Sequence, residues 1–266
     1  SSAASDVYKR QIKGRVSVID GTTLTIPAGT IIKAASGTGA DASTLIVARG
    51  GKMIANGTAD NPIIMTAAAD NIEVGGTYPE SGPALKVDTR GLWGGLLILG
   101  RAPCSFKSDV TELQIEGIPT SDTNGLYGGS VADDNSGSFQ YISIRHGGAE
   151  IGEGNEINGL TLGGVGSGTT VNQIEVLGNV DDGIEFFGGT VKATNLLVWG
   201  QGDDAIDVDQ GYAGTIDGAL VVLTAASDHG FEIDGPEGSA SGRFTLKNAT
   251  VIGSTDDCVA EGVDGV

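Results

Sequence analysis

An all-β solenoid of the parallel β-helix kind is the fold this sequence predicts, and three observations point to it. Glycine makes up 45 of 266 residues, and apolar residues almost never recur at helical spacing. Short β-branched runs recur instead, each closed by glycine and a polar turn. The second half then repeats itself, with Asp181, Asp203, Asp228 and Asp256 opening equivalent turns 22, 25 and 28 residues apart. Repeats of that length are solenoid coils, because a propeller blade needs roughly 40–45 residues.

Taken in order, the first eleven residues, SSAASDVYKRQ, resemble a translated sequencing adaptor and are set outside the domain, which is read as 12–266. Thr23–Ile26, Leu45–Ala48 and Ile63–Thr66 have strand composition. Segments 68–92 and 102–138 break the period. Rich in Gly, Ser, Asp and Thr, and holding Pro79, Pro83, Pro103 and Pro119, they read as excursions from coil corners. Such loops carry the binding a rigid solenoid performs. Tyr141–Ile144 and Gly159–Leu162 resume the strands.

From Gln173 the coils are regular. Ile174, Val176, Ile184 and Phe186 are expected to face inward and Glu175 and Glu185 outward, by the strand period of two. Leu196, Val198, Ile206 and Val208 repeat the inward pattern one coil later. Cys258 aligns with Gly183, Ala205 and Gly230, a position that takes small residues. It reads as structural filler, and with only Cys104 besides, no disulfide is inferred. The chain stops inside a repeat with no capping element, so a domain cut short at its C-terminus is expected.

Composition excludes several functions. Seven prolines and no recurring G-X-Y triplet exclude collagen. No run approaches the roughly 18 apolar residues of a membrane helix. The formal charge of −19 opposes a nucleic-acid partner, which needs a basic footprint. There is no P-loop, GxSxG or HExxH, and the GG pairs precede no helix. Nothing fixes an oligomeric state.

Stacking the coils aligns acidic rows. Asp181, Asp203, Asp228 and Asp256 form the first, and Asp182, Asp204, His229 and Asp257 the second. Glu185, Asp207 and Glu232 form the third, while Asp209 and Asp234 add a partial fourth opposite Phe187. Neighbouring coils lie about 4.8 Å apart, where two like charges repel by roughly 3 kcal/mol at an effective dielectric of 20. Something must offset that cost, and three readings do so. Asp side chains at turns cap backbone N–H groups. Alternatively, Asp181, Asp182, Asp207 and Asp209 hold calcium, which favours hard oxygen ligands. Or carboxyl pairs divide acid and base roles in glycoside cleavage, with Asp203, Asp204 and Asp228 as the catalytic candidates and His229 as proton-transfer partner. For glycan contact the candidates are Trp199 and Tyr212, as stacking rings on one edge, together with Glu185, Asp207 and Glu232.

The opening segments LTIPAGTIIKA and LIVARGGKMIANGTADNPIIMTA, with WGGLLILG at 93–100, resemble the first coils of secreted bacterial right-handed β-helix proteins. Residues 159–211 are similar to a family of bacterial cell-surface proteins of the Bacteroidetes type. The resemblance covers most of 18–260 and implies a single right-handed parallel β-helix, exported to the outside or the outer surface of a bacterium. A looser likeness links Thr255–Ala260 to the polygalacturonases, whose catalytic aspartates lie in a DDC(I/V)A-type turn. The GHG turn and RIK triplet of those enzymes are missing, so no catalytic role is carried over. The acidic pattern repeats evenly from coil to coil, which favours a glycan- or surface-binding scaffold, with calcium on its acidic face. A polysaccharide hydrolase or lyase is the alternative; it would need one exceptional coil with a cleft and perturbed carboxyls.

Overall fold

The structure is a computed structural model and describes residues 9–73, 85–151 and 155–254, with the backbone of 263–264. In chain order the strands are β1 (Lys9–Ile12), β2 (Arg15–Val18), β3 (Thr23–Ile26), β4 (Ile31–Ala34), β5 (Thr44–Val47), β6 (Lys52–Asn56) and β7 (Ile63–Ala67). After an excursion come β8 (Gly95–Leu99), the short pair β9 (Leu113–Gln114) and β10 (Leu126–Tyr127), and β11 (Gly137–Arg145). The coils then run β12 (Leu160–Gly163), β13 (Thr170–Leu177), β14 (Ile184–Phe187), β15 (Lys192–Trp199) and β16 (Ile206–Asp209). They end with β17 (Thr215–Val222), β18 (Phe231–Gly235), β19 (Thr245–Ile252) and β20 (Val263–Asp264).

Among the described residues all pairings except the antiparallel β9–β10 pair are parallel, and they build a right-handed parallel β-helix. One sheet stacks β2-β5-β8-β12-β14-β16-β18-β20; the other stacks β1-β4-β7-β11-β13-β15-β17-β19, with β3 and β6 joining through β11. Lys9–Gln11, which the sequence reading sets outside the domain, pair in register with Ile31–Lys33.

The long strands β11 to β19 each turn a corner in mid-strand, at one aligned residue. Tyr141, Gln173, Asn195, Gly218 and Asn248 all have φ between 49° and 87°. Asparagine tolerates this left-handed region better than most residues, and glycine tolerates it best. Asn172 links the corner by accepting from Asn195 Nδ2 at 3.0 Å and from Thr194 Oγ1 at 2.7 Å. The bend splits each long strand so that Ala193 and then Leu196 and Val198 all point inward.

The bore is filled by stacked apolar side chains, among them Ile174, Val176, Ile184, Phe186, Leu196, Val198, Ile206 and Val208, as the alternation predicts. Each such side chain is worth about 1.5–3 kcal/mol when fully buried. A second apolar cluster lies outside the bore, where Ile46, Leu97, Leu99 and Phe187 project from the β5–β14 face. The segment between β8 and β11 straps across them. Tyr127 packs edge-on between Phe106 (centroids 5.2 Å apart) and Phe187 (6.0 Å), and its hydroxyl donates to Gln210 at 2.8 Å. Ala149, Ile151 and Ile157, from the described pieces 146–151 and 155–159, join the same cluster. Among the described residues no helix is long and apolar enough to cross a membrane.

Candidate functional site

Where the apolar strap ends, the outward row of the short-strand sheet changes character. Read along the stack it runs Ile46, Leu97, Thr161, Glu185, Asp207, Glu232. Over these coils the register sets Asp181 level with Asp203 and Asp228, and Asp182 level with Asp204 and His229. In the last coil it departs from the expected rows, pairing Glu232 with Asp264. The fourth row differs. A bulge at Val208/Asp209 sets Gly235, not Asp234, beside Asp209, so Asp234 is the extra residue and Asp209 pairs with Glu237 instead.

The rows are not equally exposed. Asp182, Glu185, Asp204 and Asp207 are buried, whereas Asp203 and Asp228 are exposed. Glu185 and Asp207 do project away from the bore, yet neighbouring coils and the excursions bury them. Evenness of sequence therefore conceals one exceptional region, spanning the turns into β14, β16 and β18.

Backbone capping accounts for the second row. Asp182 Oδ1 accepts the Asp204 N–H at 3.1 Å, and Asp204 Oδ1 accepts the His229 N–H at 2.7 Å. Each carboxylate thus ties its coil to the next. The remaining oxygens face one another. Oxygens of Asp182, Glu185 and Asp207 lie within 4.8 Å of one another, as do those of Asp181, Asp182 and Asp203. Glu185 shares a hydrogen bond with Asp207, and Glu232 shares one with Asp204.

Burial and mutual repulsion raise Asp181, Asp182, Glu185, Asp203, Asp207 and Glu232 above the usual carboxyl range. Burial, with Asp181 and Asp207 close by, pushes Asp182 far up, and burial beside Asp207 does the same to Glu185. Burial raises Asp207 to about 7, and burial with the charges of Glu116 and Asp203 raises Asp181 to about 6. The hydrogen bond to Asp204, followed by burial, raises Glu232 to about 8. Asp203 is raised by burial and by Asp204 and Asp228.

The four residues expected to hold calcium do not converge. Asp182 meets Asp207, and Asp181 meets Asp182, but Asp209 belongs to neither group. Its carboxylate accepts the Gln210 N–H instead and pairs with Glu237, on the same face as Asp207 but two residues further along the strand. Glu185 takes its place, and two partnerless buried oxygens mark the spot: Asp207 Oδ1 and Asn158 Oδ1.

Of the catalytic candidates, the structure joins three. His229 Nδ1 lies 2.9 Å from Asp204 Oδ1 and its Nε2 3.5 Å from Asp228 Oδ1. Asp203 lies on the Asp181 side of the same turn, in a carboxylate group that does not include the histidine. Of the stacking candidates, Tyr212 is corrected. It is 1% exposed, its ring packs between Phe186 and Phe244, and its hydroxyl donates to the Val191 carbonyl at 2.6 Å. Tyr212 follows the left-handed Gln210 and Gly211, which turn the chain and swing its ring into the bore. Trp199 projects outward and is half-buried beside Leu177 and Val222. Cys104 is a free, half-buried thiol that burial pushes up to about 12. Asp256, Asp257 and Cys258 lie outside the described residues.

A family model described as a pectate-lyase-like β-helix domain matches residues 3–264. The chain belongs to that family. Comparison with curated proteins and with solved structures returned no match. Within this β-helix domain, sequence reasoning missed Asn158, Glu116 and Glu156. Asn158 lies level with Asp182, and the string Asn158-Gly159-Leu160-Thr161-Leu162 parallels Asp182-Gly183-Ile184-Glu185-Phe186. That likeness was the available signal. Glu116 and Glu156 come from the excursions, have no repeat to betray them, and bring their charge to bear on Asp181.

Proposed function

We propose that the protein is an exported, polysaccharide-directed β-helix whose acidic face, centred on Asp182, Glu185 and Asp207, engages glycans through a hard divalent cation such as calcium. Asp207 Oδ1 carries the reading: a buried carboxylate oxygen with no hydrogen-bond partner, inside a group of three carboxylates. A buried acceptor is otherwise almost always satisfied. The donor set is oxygen only, which suits calcium rather than a softer metal. Asp182, Glu185 and Asp207 would hold the cation, which would neutralise their repulsion and offer free coordination positions to sugar hydroxyls. Family membership supports the polysaccharide half of the reading and the placement outside the cell. Trp199, half-buried on the neighbouring sheet, would add a stacking surface.

The test is a depletion assay against a panel of insoluble plant and algal polysaccharides, with calcium and with chelator. The reading expects retention on at least one polymer in calcium, lost in chelator and in Asp207→Asn. Retention that is indifferent to both would overturn it.

One observation favours a second reading, bond cleavage. Glu232 is half-exposed, is held protonated to about pH 8, and leans on Asp204, which in turn faces His229. A carboxylic acid that keeps its proton at neutral pH is what a glycoside leaving group needs. Shortened polymer, lost in Glu232→Gln, would establish this reading in place of the first.

A further inference from the structure

Asn158 stands at the head of the second row: register places it level with Asp182, and so in line with Asp204 and His229. The row has a diagonal habit. Each member reaches the third-row residue of the following coil, as Asp182 nears Asp207 and Asp204 bonds Glu232. Asn158 obeys it, because its Nδ2 donates to the Glu185 carboxylate. The other end of the same amide, Oδ1, is buried without a partner, in a residue 1% exposed. Two residues that each carry an orphaned buried oxygen, Asn158 and Asp207, thus flank Glu185 from the coils on either side.

An amide's two ends are nearly the same size, and a half-turn of the terminal torsion exchanges them. With a cation on Glu185, the Nδ2 donor is no longer needed there, and the flipped amide presents oxygen instead. Resting on the cation reading above, we propose that Asn158 is a fourth ligand of that site, giving calcium an uncharged amide oxygen beside Asp182, Glu185 and Asp207. Calcium takes side-chain amide oxygens readily among its roughly six to eight ligands. A neutral residue at this position also adds an oxygen without adding to the repulsion within the cluster.

The competing role is that of a simple donor that fixes Glu185. Two variants of the full chain separate the roles in calorimetric titration with calcium chloride, with circular dichroism to verify folding. Asn158→Leu removes both amide ends and is expected to weaken calcium binding about tenfold or more. Asn158→Asp removes the donor but keeps an oxygen, and is expected to bind at least as tightly as the parent. Parent-like affinity in Asn158→Leu would overturn the proposal, and so would weaker-than-parent binding in Asn158→Asp. The second comparison stands alone if the leucine variant fails to fold. A parent chain that binds no calcium would overturn the cation reading itself, a separate result from either of these.

Discussion

Asp204 and Asp207 are one strand-turn apart and both buried, yet substitution should affect them in opposite ways. Asp204 Oδ1 meets both the backbone N–H and the ring Nδ1 of His229, so Asp204→Ala removes the acceptor that ties two coils together. Chemical unfolding should show a loss of about 1–3 kcal/mol, as for other buried hydrogen-bonding groups. Asp207 has an oxygen with no partner and repels its neighbours, so Asp207→Asn should raise stability at pH 8 in chelator while abolishing calcium binding. A fall in stability there would mean that Asp207 serves the fold rather than a ligand. Such contrasts are invisible in sequence, where both residues read as aspartates in a repeating turn. Their difference comes from what the coil above offers each one: a backbone amide for Asp204, another carboxyl for Asp207.

At the scale of the coil, two features set stability. The first is the left-handed corner shared by Tyr141, Gln173, Asn195, Gly218 and Asn248. Asn195→Val forces a β-branched residue to positive φ and should cost about 1–3 kcal/mol by chemical unfolding, whereas Asn195→Gly should cost much less. Equal costs would place the importance of Asn195 in its side-chain bond to Asn172. The second is the proton-holding acidic turn. Groups that bind protons more tightly folded than unfolded make the folded state the better proton acceptor, so stability declines as pH rises. Unfolded carboxyls titrate near about 4, whereas Asp181, Asp207 and Glu232 hold their protons to about 6, 7 and 8. Their stabilising protons are therefore fully present below about pH 4 and are lost through about pH 6 to 8. In chelator the melting temperature should fall across that window; calcium should remove the fall. A flat profile in chelator would show that the turns relieve their repulsion in another way. The strands were legible because alternation is local, but the corner was not, since Tyr141 and Gly218 share its conformation with the amides Gln173, Asn195 and Asn248 and share none of their chemistry.

For the molecule as a whole, the solenoid could be read from glycine content, β-branched runs and the second-half repeat, because each coil repeats the same demand for inward aliphatics. The acidic rows were legible for the same reason. Burial of those rows was not, because residues outside the acidic repeat, such as Glu116, Glu156 and Asn158, come up against them. Asp209 and Tyr212 were misplaced because Asp209 lies two residues along the strand from Asp207 and pairs with Glu237, and because a left-handed turn at Gln210–Gly211 swings Tyr212 into the bore. The central claim, a cation-dependent glycan-binding face, is tested most directly by gel filtration of the chain with soluble polysaccharides, in calcium and in chelator, following both protein position and polymer size. The claim predicts co-elution with one polymer in calcium alone, the polymer keeping its length. Polymer shortened by the parent chain but not by Glu232→Gln would contradict it and make the acidic face a catalytic one.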